Sequence, residues 1–162
     1  MLWQFQYPSR FLLPVGLLLV LANLSLAQDA SEPEMTPRER TQLAESFTTE
    51  KLAFWQKRLN LSDWRVSVMV VRTGDLKPKT LGNIHWDTKK KTAVIRVLDP
   101  ADYKMTQQAM LDDMEFTVVH ELIHLELSPV LSSLQRNDAN RLEEEYAVNH
   151  MAQALLDLER AK

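Results

Sequence analysis

"VVHELIHLEL", residues 118–127, places two histidines four positions apart, with a glutamate directly after the first, inside an otherwise apolar run. Apolar residues at Val118, Val119, Leu122, Ile123, Leu125 and Leu127 surround a helix on nearly every side, which predicts a central, buried helix. The rest of the domain must then be built around it. His120 and His124 fall one turn apart on the same side, so both imidazoles can reach one ion. Glu121 is rotated from His120 by about 100°. From there its carboxylate can approach a water at that ion without being a ligand. Two histidines and a carboxylate on such a helix cost free energy unless something satisfies them, and a metal would. The plainer alternative is a buried helix with hydrogen-bonded core histidines. The His-Glu-x-x-His spacing in this setting favours a zinc site, with Glu121 as general base.

Working outward, the chain on either side reads as alternating elements. Thr36, Pro37 and Glu39 form a helix start: a capping hydroxyl, a proline in the first turn and an acid three residues after the cap. Leu43, Phe47, Leu52, Trp55 and Leu59 continue it as one apolar face, ending near Asn60. "WRVSVMVV" (64–71) is a strand, rich in β-branched residues. "LGNIHWD" (81–87) and "TAVIRVLD" (92–99) flank "TKKK" and predict an antiparallel hairpin. "DPADY" (99–103) breaks the sheet. The motif helix is expected from Asp112 or Asp113, both read as caps, to about Leu127, with Pro129 stopping it. A last helix runs from Asp138 to the end. The expected fold is a single small α+β domain: N-terminal helix, three-stranded mainly antiparallel sheet, motif helix and C-terminal helix.

At the start of the 162-residue chain, "FLLPVGLLLVLANLSLA" (Phe11–Ala27) is apolar, uncharged and preceded by Arg10. It reads as a signal peptide, residues 1–27, cleaved after Ala27 for a secreted or periplasmic product. An uncleaved membrane anchor is the alternative, disfavoured because seventeen residues with Pro14, Gly16 and Asn23 barely span a bilayer. Residues 28–35 read as a flexible lead-in and 36–162 as the domain. Arg10 is the only charged residue of the leader, so the 135 residues after it carry a net charge of −4. With no run of Lys or Arg beyond "KKK" at 89–91, a nucleic-acid partner is not expected. The chain has no cysteine. Any zinc site must therefore use histidine and carboxylate ligands, and other divalent ions compete for such a set.

A catalytic zinc takes three protein ligands and keeps one open position. A third histidine six residues after His124 is missing, because Val130 stands there. "LEEEYAVNHMAQALL" (142–156) offers glutamates instead. Glu144, Val148, Met151 and Leu155 form a four, three, four ladder along an inward face, which favours Glu144 as third ligand, with Glu145 beside it as the alternative. A solvated acidic patch near a helix start is the plainer reading. Among other residues, His85 should point outward from its strand while Ile84 and Trp86 point inward, and His150 reads as surface. Tyr103 and Tyr146 are possible oxyanion donors. Glu115 and Thr117 could hold a ligand histidine in its tautomer.

"HELIH" (120–124) followed by a glutamate-bearing helix twenty residues on resembles the small single-domain gluzincins, the minigluzincins, and more loosely the SprT-like and ImmA/IrrE-like groups. "FWQKRLNLSDW", the hairpin around "GNIHWD", "DPADY" and "EEYAVNHMAQALL" extend the likeness over about residues 47–156. The resemblance implies a zinc metallopeptidase with His120 and His124 as ligands, Glu121 as base, and Glu144 or Glu145 completing the site. It also implies that the strand at 81–87 holds an extended peptide or protein substrate by β-addition. The competing function is a non-catalytic zinc-stabilised domain that is structural or binds peptides, against which an intact Glu121 argues.

Overall fold

The computed structural model describes residues 35–162 except Lys79 and Arg136; the leader and most of the lead-in lie outside the described residues. Glu34–Lys162 forms one compact unit. No helix among the described residues is long and apolar enough to cross a membrane.

Helix α1 spans Pro37–Arg58 and starts on the expected capping box, with the Thr36 side chain accepting from the Glu39 amide while Glu39 accepts from the Thr36 amide. Its buried stripe is Ala44, Thr48, Leu52 and Trp55, one residue round from the expected Leu43 and Phe47, which are half-buried. Small residues at 44 and 48 let the helix sit close. Asn60, at φ 57°, then turns the chain, a left-handed conformation that asparagine tolerates better than most residues.

Strands β1 (Arg65–Val71), β2 (Gly82–Asp87) and β3 (Thr92–Leu98) form one sheet in the order β1-β3-β2. The β2–β3 hairpin is antiparallel as expected, but β1 joins β3 in parallel, so the sheet is mixed. The long connection through Thr73–Asp75 allows the reversal that a parallel partner needs. Val66, Val68 and Val70, Ala93, Ile95 and Val97, and Ile84 pack against the helices. Arg65, Ser67, Met69 and His85 are exposed on the other face. His85 points outward as expected. Trp86 shares the inward alternation of Ile84 but is 41 % exposed, at the turn end of the hairpin.

Helix α2 covers Gln107–Leu131, longer at both ends than its sequence predicts. Thr106 caps it, accepting from the Ala109 amide, so Asp112 and Asp113 are interior residues and not caps. Asp113 instead accepts a hydrogen bond from the Tyr103 hydroxyl at 2.8 Å. Pro129 lies inside the last turn and does not stop the helix. α2 is the core element anticipated from its composition: Met110, Met114, Val118, Val119 and Leu122 have no exposed surface. Helix α3 (Asp138–Arg160), capped by Asn137, packs on it through Val148, Ala152 and Leu156.

Candidate metal centre

On α2, His120 is half-buried and His124 is buried, and both turn toward α3. His120 Nε2 and His124 Nε2 lie 3.0 Å apart. The outer ring nitrogens both turn to α3: His120 Nδ1 is 3.0 Å from Asn149 Oδ1, and His124 Nδ1 is 2.9 Å from Glu144 Oε1. The Glu144 carboxylate can only accept from His124. Asn149, with its oxygen assigned toward the ring, does the same for His120. Both Nδ1 atoms then carry the proton, and both Nε2 lone pairs converge on one point. Two lone pairs at 3.0 Å repel unless a cation, proton or metal, lies between them.

The third group at that point is Glu145. Its carboxylate oxygens lie 3.3 Å from His120 Nε2 and 3.5 Å from His124 Nε2. His120, His124 and Glu145 are the only set of three His, Cys, Asp or Glu among the described residues placed to hold one ion. The geometry thus brings together both motif histidines and the alternative glutamate, Glu145. The favoured Glu144 sits behind His124 instead. The reason lies in the face of α3 that packs inward: it is centred on Val148, Ala152 and Leu156, whereas Met151 is 38 % exposed. Counted back by fours along that stripe, Glu144 continues it as a buried side chain behind His124, while Glu145, one position on and half-exposed, turns toward the Nε2 atoms.

The donor chemistry suits zinc. Two imidazole nitrogens and one carboxylate leave a fourth position open, and nitrogens bound tetrahedrally at about 2.05 Å would stand about 3.3 Å apart. The observed separation is within a few tenths of that value.

Glu121, beside this set, is buried, and burial raises its carboxyl pKa above the ordinary value against the pull of the nearby histidines. Burial pulls His124 down, but the hydrogen bond to Glu145 and the charges of Glu121, Glu145 and Glu144 outweigh it and leave its pKa raised. The Glu145 carboxyl is held far below its usual range by the hydrogen bonds from His120 and His124. Without metal these groups act as an ion-pair cluster, so a metal must compete with protons here.

Strand β2 forms the wall of the site. A Cβ on Gly82 would collide with Thr117 Cγ2, stand 2.8 Å from the Arg96 carbonyl and 3.7 Å from Glu121 Oε1. Only glycine allows the strand this close to the motif helix. The Leu98 amide bonds the Leu81 carbonyl, so in the antiparallel register the odd-numbered residues of β2 face β3. The backbone groups of Gly82, Ile84 and Trp86 therefore point out along the free edge.

Other expected participants are placed elsewhere. Tyr103 is buried against Asp113, and Glu115 accepts from Trp55 Nε1 at 2.8 Å and pairs with Lys51 Nζ at 3.0 Å. Thr117 packs against Gly82. Tyr146, His85 and His150 are exposed. Asn149 was not anticipated. Its signal was available, since it follows Glu145 by one helical turn. Comparison with protein-family profiles, with curated proteins and with solved structures finds no match for this chain.

Proposed function

We propose that this chain is a zinc-dependent metallopeptidase of the minigluzincin type, which hydrolyses peptide bonds in an extended peptide or protein substrate. The observation that carries the reading is the convergence of His120 Nε2, His124 Nε2 and the Glu145 carboxylate beside a buried Glu121. His120, His124 and Glu145 would hold the metal, with Asn149 and Glu144 fixing the two ring tautomers from behind. A zinc bound there supplies a Lewis acid and makes water acidic near neutral pH. Glu121 takes the proton of the attacking water at its carboxylate and passes it to the leaving amine. Burial, which raises the basicity of Glu121, supports that role. The edge groups of Gly82, Ile84 and Trp86 receive the substrate as an added strand along the site. The apolar stretch Phe11–Ala27 supports export of the enzyme before it acts.

The test is metal content by elemental mass spectrometry, paired with cleavage of a peptide mixture. About one zinc per chain is expected, lost in His124→Ala and Glu145→Ala. Glu121→Gln should keep the metal while cleavage falls by at least about a hundredfold, as loss of a general base does. A protein that takes up no metal from added zinc ends the reading. One that binds zinc but cleaves nothing leaves a structural or peptide-binding zinc domain.

A further inference from the structure

Among the described residues the sheet has two free edges, and only one of them borders the proposed metal centre. The other belongs to β1, whose seven residues read "RVSVMVV". In the parallel pairing with β3, the Arg65 amide donates to the Lys91 carbonyl and the Val71 carbonyl accepts from the Asp99 amide. The odd-numbered residues thus face β3, and the N–H and C=O groups of Val66, Val68 and Val70 point away from the sheet. Among the described residues no backbone bond from elsewhere reaches them. A free edge is ordinarily blunted by proline, a bulge or an inward-pointing charge. β1 has none: its inward side chains are Val66, Val68 and Val70, Val71 at its end packs against the second core cluster, and its outward ones are Arg65, Ser67 and the exposed Met69.

We propose that β1 is an interface between two copies of this chain, paired antiparallel about a two-fold axis through Val68. The edge is self-matching in that register. Val68 faces its own copy, Val66 faces Val70, and all three outward positions fall in hydrogen-bonded pairs, giving six inter-chain backbone bonds. On the open face Ser67 stands opposite Met69. Arg65, the only charge in the strand, stands opposite Val71, so no like charges meet. An extended segment of a different protein would need its own complementary pattern, whereas a second copy carries it already. The result is a continuous six-stranded sheet with both β2 edges at its outer ends. Each β2 edge is two strands, about 10 Å, from its own β1 edge, so dimerisation leaves both metal centres open.

The experiment is the mass of the purified protein by light scattering over a concentration series, with circular dichroism as the control for folding. The wild type should be a dimer at the upper end of the series. Ser67→Lys with Met69→Lys places like charges opposite each other across the axis on an exposed face and should halve the mass with an unchanged spectrum. Ser67→Lys with Met69→Glu makes the same positions complementary and should restore the dimer. Val68→Pro is a second probe: it removes an outward N–H without touching the β1–β3 ladder and should also give monomer. A wild type monomeric at every soluble concentration overturns the proposal. So does a dimer that survives Ser67→Lys with Met69→Lys, or a Lys/Glu pair that fails to restore it.

Discussion

Glu144 and Glu145 are adjacent in the chain, yet the fold sends them to opposite sides of one imidazole. Glu145 approaches Nε2, the side of the proposed metal, while Glu144 holds Nδ1. Substitution should separate the two roles. Glu145→Ala removes a proposed ligand and should abolish stoichiometric zinc binding, whereas Glu144→Ala and Asn149→Ala should retain it with affinity lowered by about 10–100-fold, the usual cost of losing a partner behind a ligand. Chelator competition measures this; equal loss in all three variants contradicts the assignment. Gly82 offers a test of a different kind. Gly82→Ala forces a Cβ into Thr117 and the Arg96 carbonyl, and should cost about 1–3 kcal/mol in urea unfolding. A neutral Gly82→Ala would mean that β2 can withdraw from α2 without penalty.

At the scale of elements, α1 is tied to α2 by one buried carboxylate. Glu115 accepts from Trp55 Nε1 and pairs with Lys51. Glu115→Leu leaves the indole N–H without its partner in the core, and about 1–3 kcal/mol of stability should be lost. Arg72 and Asp102 join the end of β1 to the turn after β3 with bonds of 2.9 and 2.7 Å. The Arg72 hydrogen bonds, followed by that from the Thr73 amide, hold the Asp102 carboxyl well below its ordinary range. For a depressed carboxyl, the linked stability is present above the unfolded pKa of about 3.8 and disappears as pH falls through the lower folded value. Asp102→Asn should therefore be less stable than wild type at neutral pH, with the difference starting to shrink below about pH 3.8 and closing only below the lower folded value. A difference that persists unchanged in acid would locate the effect of Asp102 outside its charge.

At the scale of the molecule, a cysteine-free domain whose described residues leave one sheet face open to water draws its stability from packing around α2, to which a metal held as proposed would add. Binding to the folded state alone stabilises by RT ln(1 + [L]/Kd), about 2.7 kcal/mol at a hundredfold excess over Kd. Zinc should raise the melting temperature by several degrees, and a chelator should reverse it. The gain should shrink on acidification, because protons compete for the same nitrogens. A melting temperature indifferent to zinc at neutral pH would leave the site as an ion-pair cluster.

Much of this was legible in the chain, for reasons of range. Capping, strand alternation and the His-Glu-x-x-His spacing are local, set by side chains within one turn or one hairpin. They suffice for α1, for the β2–β3 hairpin, for a buried α2 and for histidines that share a face. Helix ends were less legible: Thr106 competed with Asp112 and Asp113 as cap, and Asp113 was claimed by Tyr103 ten residues away. The parallel joining of β1, the inward face of α3 and the choice between Glu144 and Glu145 depend on how elements rotate when they pack. A turn of a quarter-circle about the α3 axis exchanges those glutamates, and only the fit of Val148, Ala152 and Leu156 against α2 selects one. Sequence alone determined which residues could meet a metal. Tertiary packing decided which of them converge, because their geometry depends on the relative rotation of two helices that no local signal specifies.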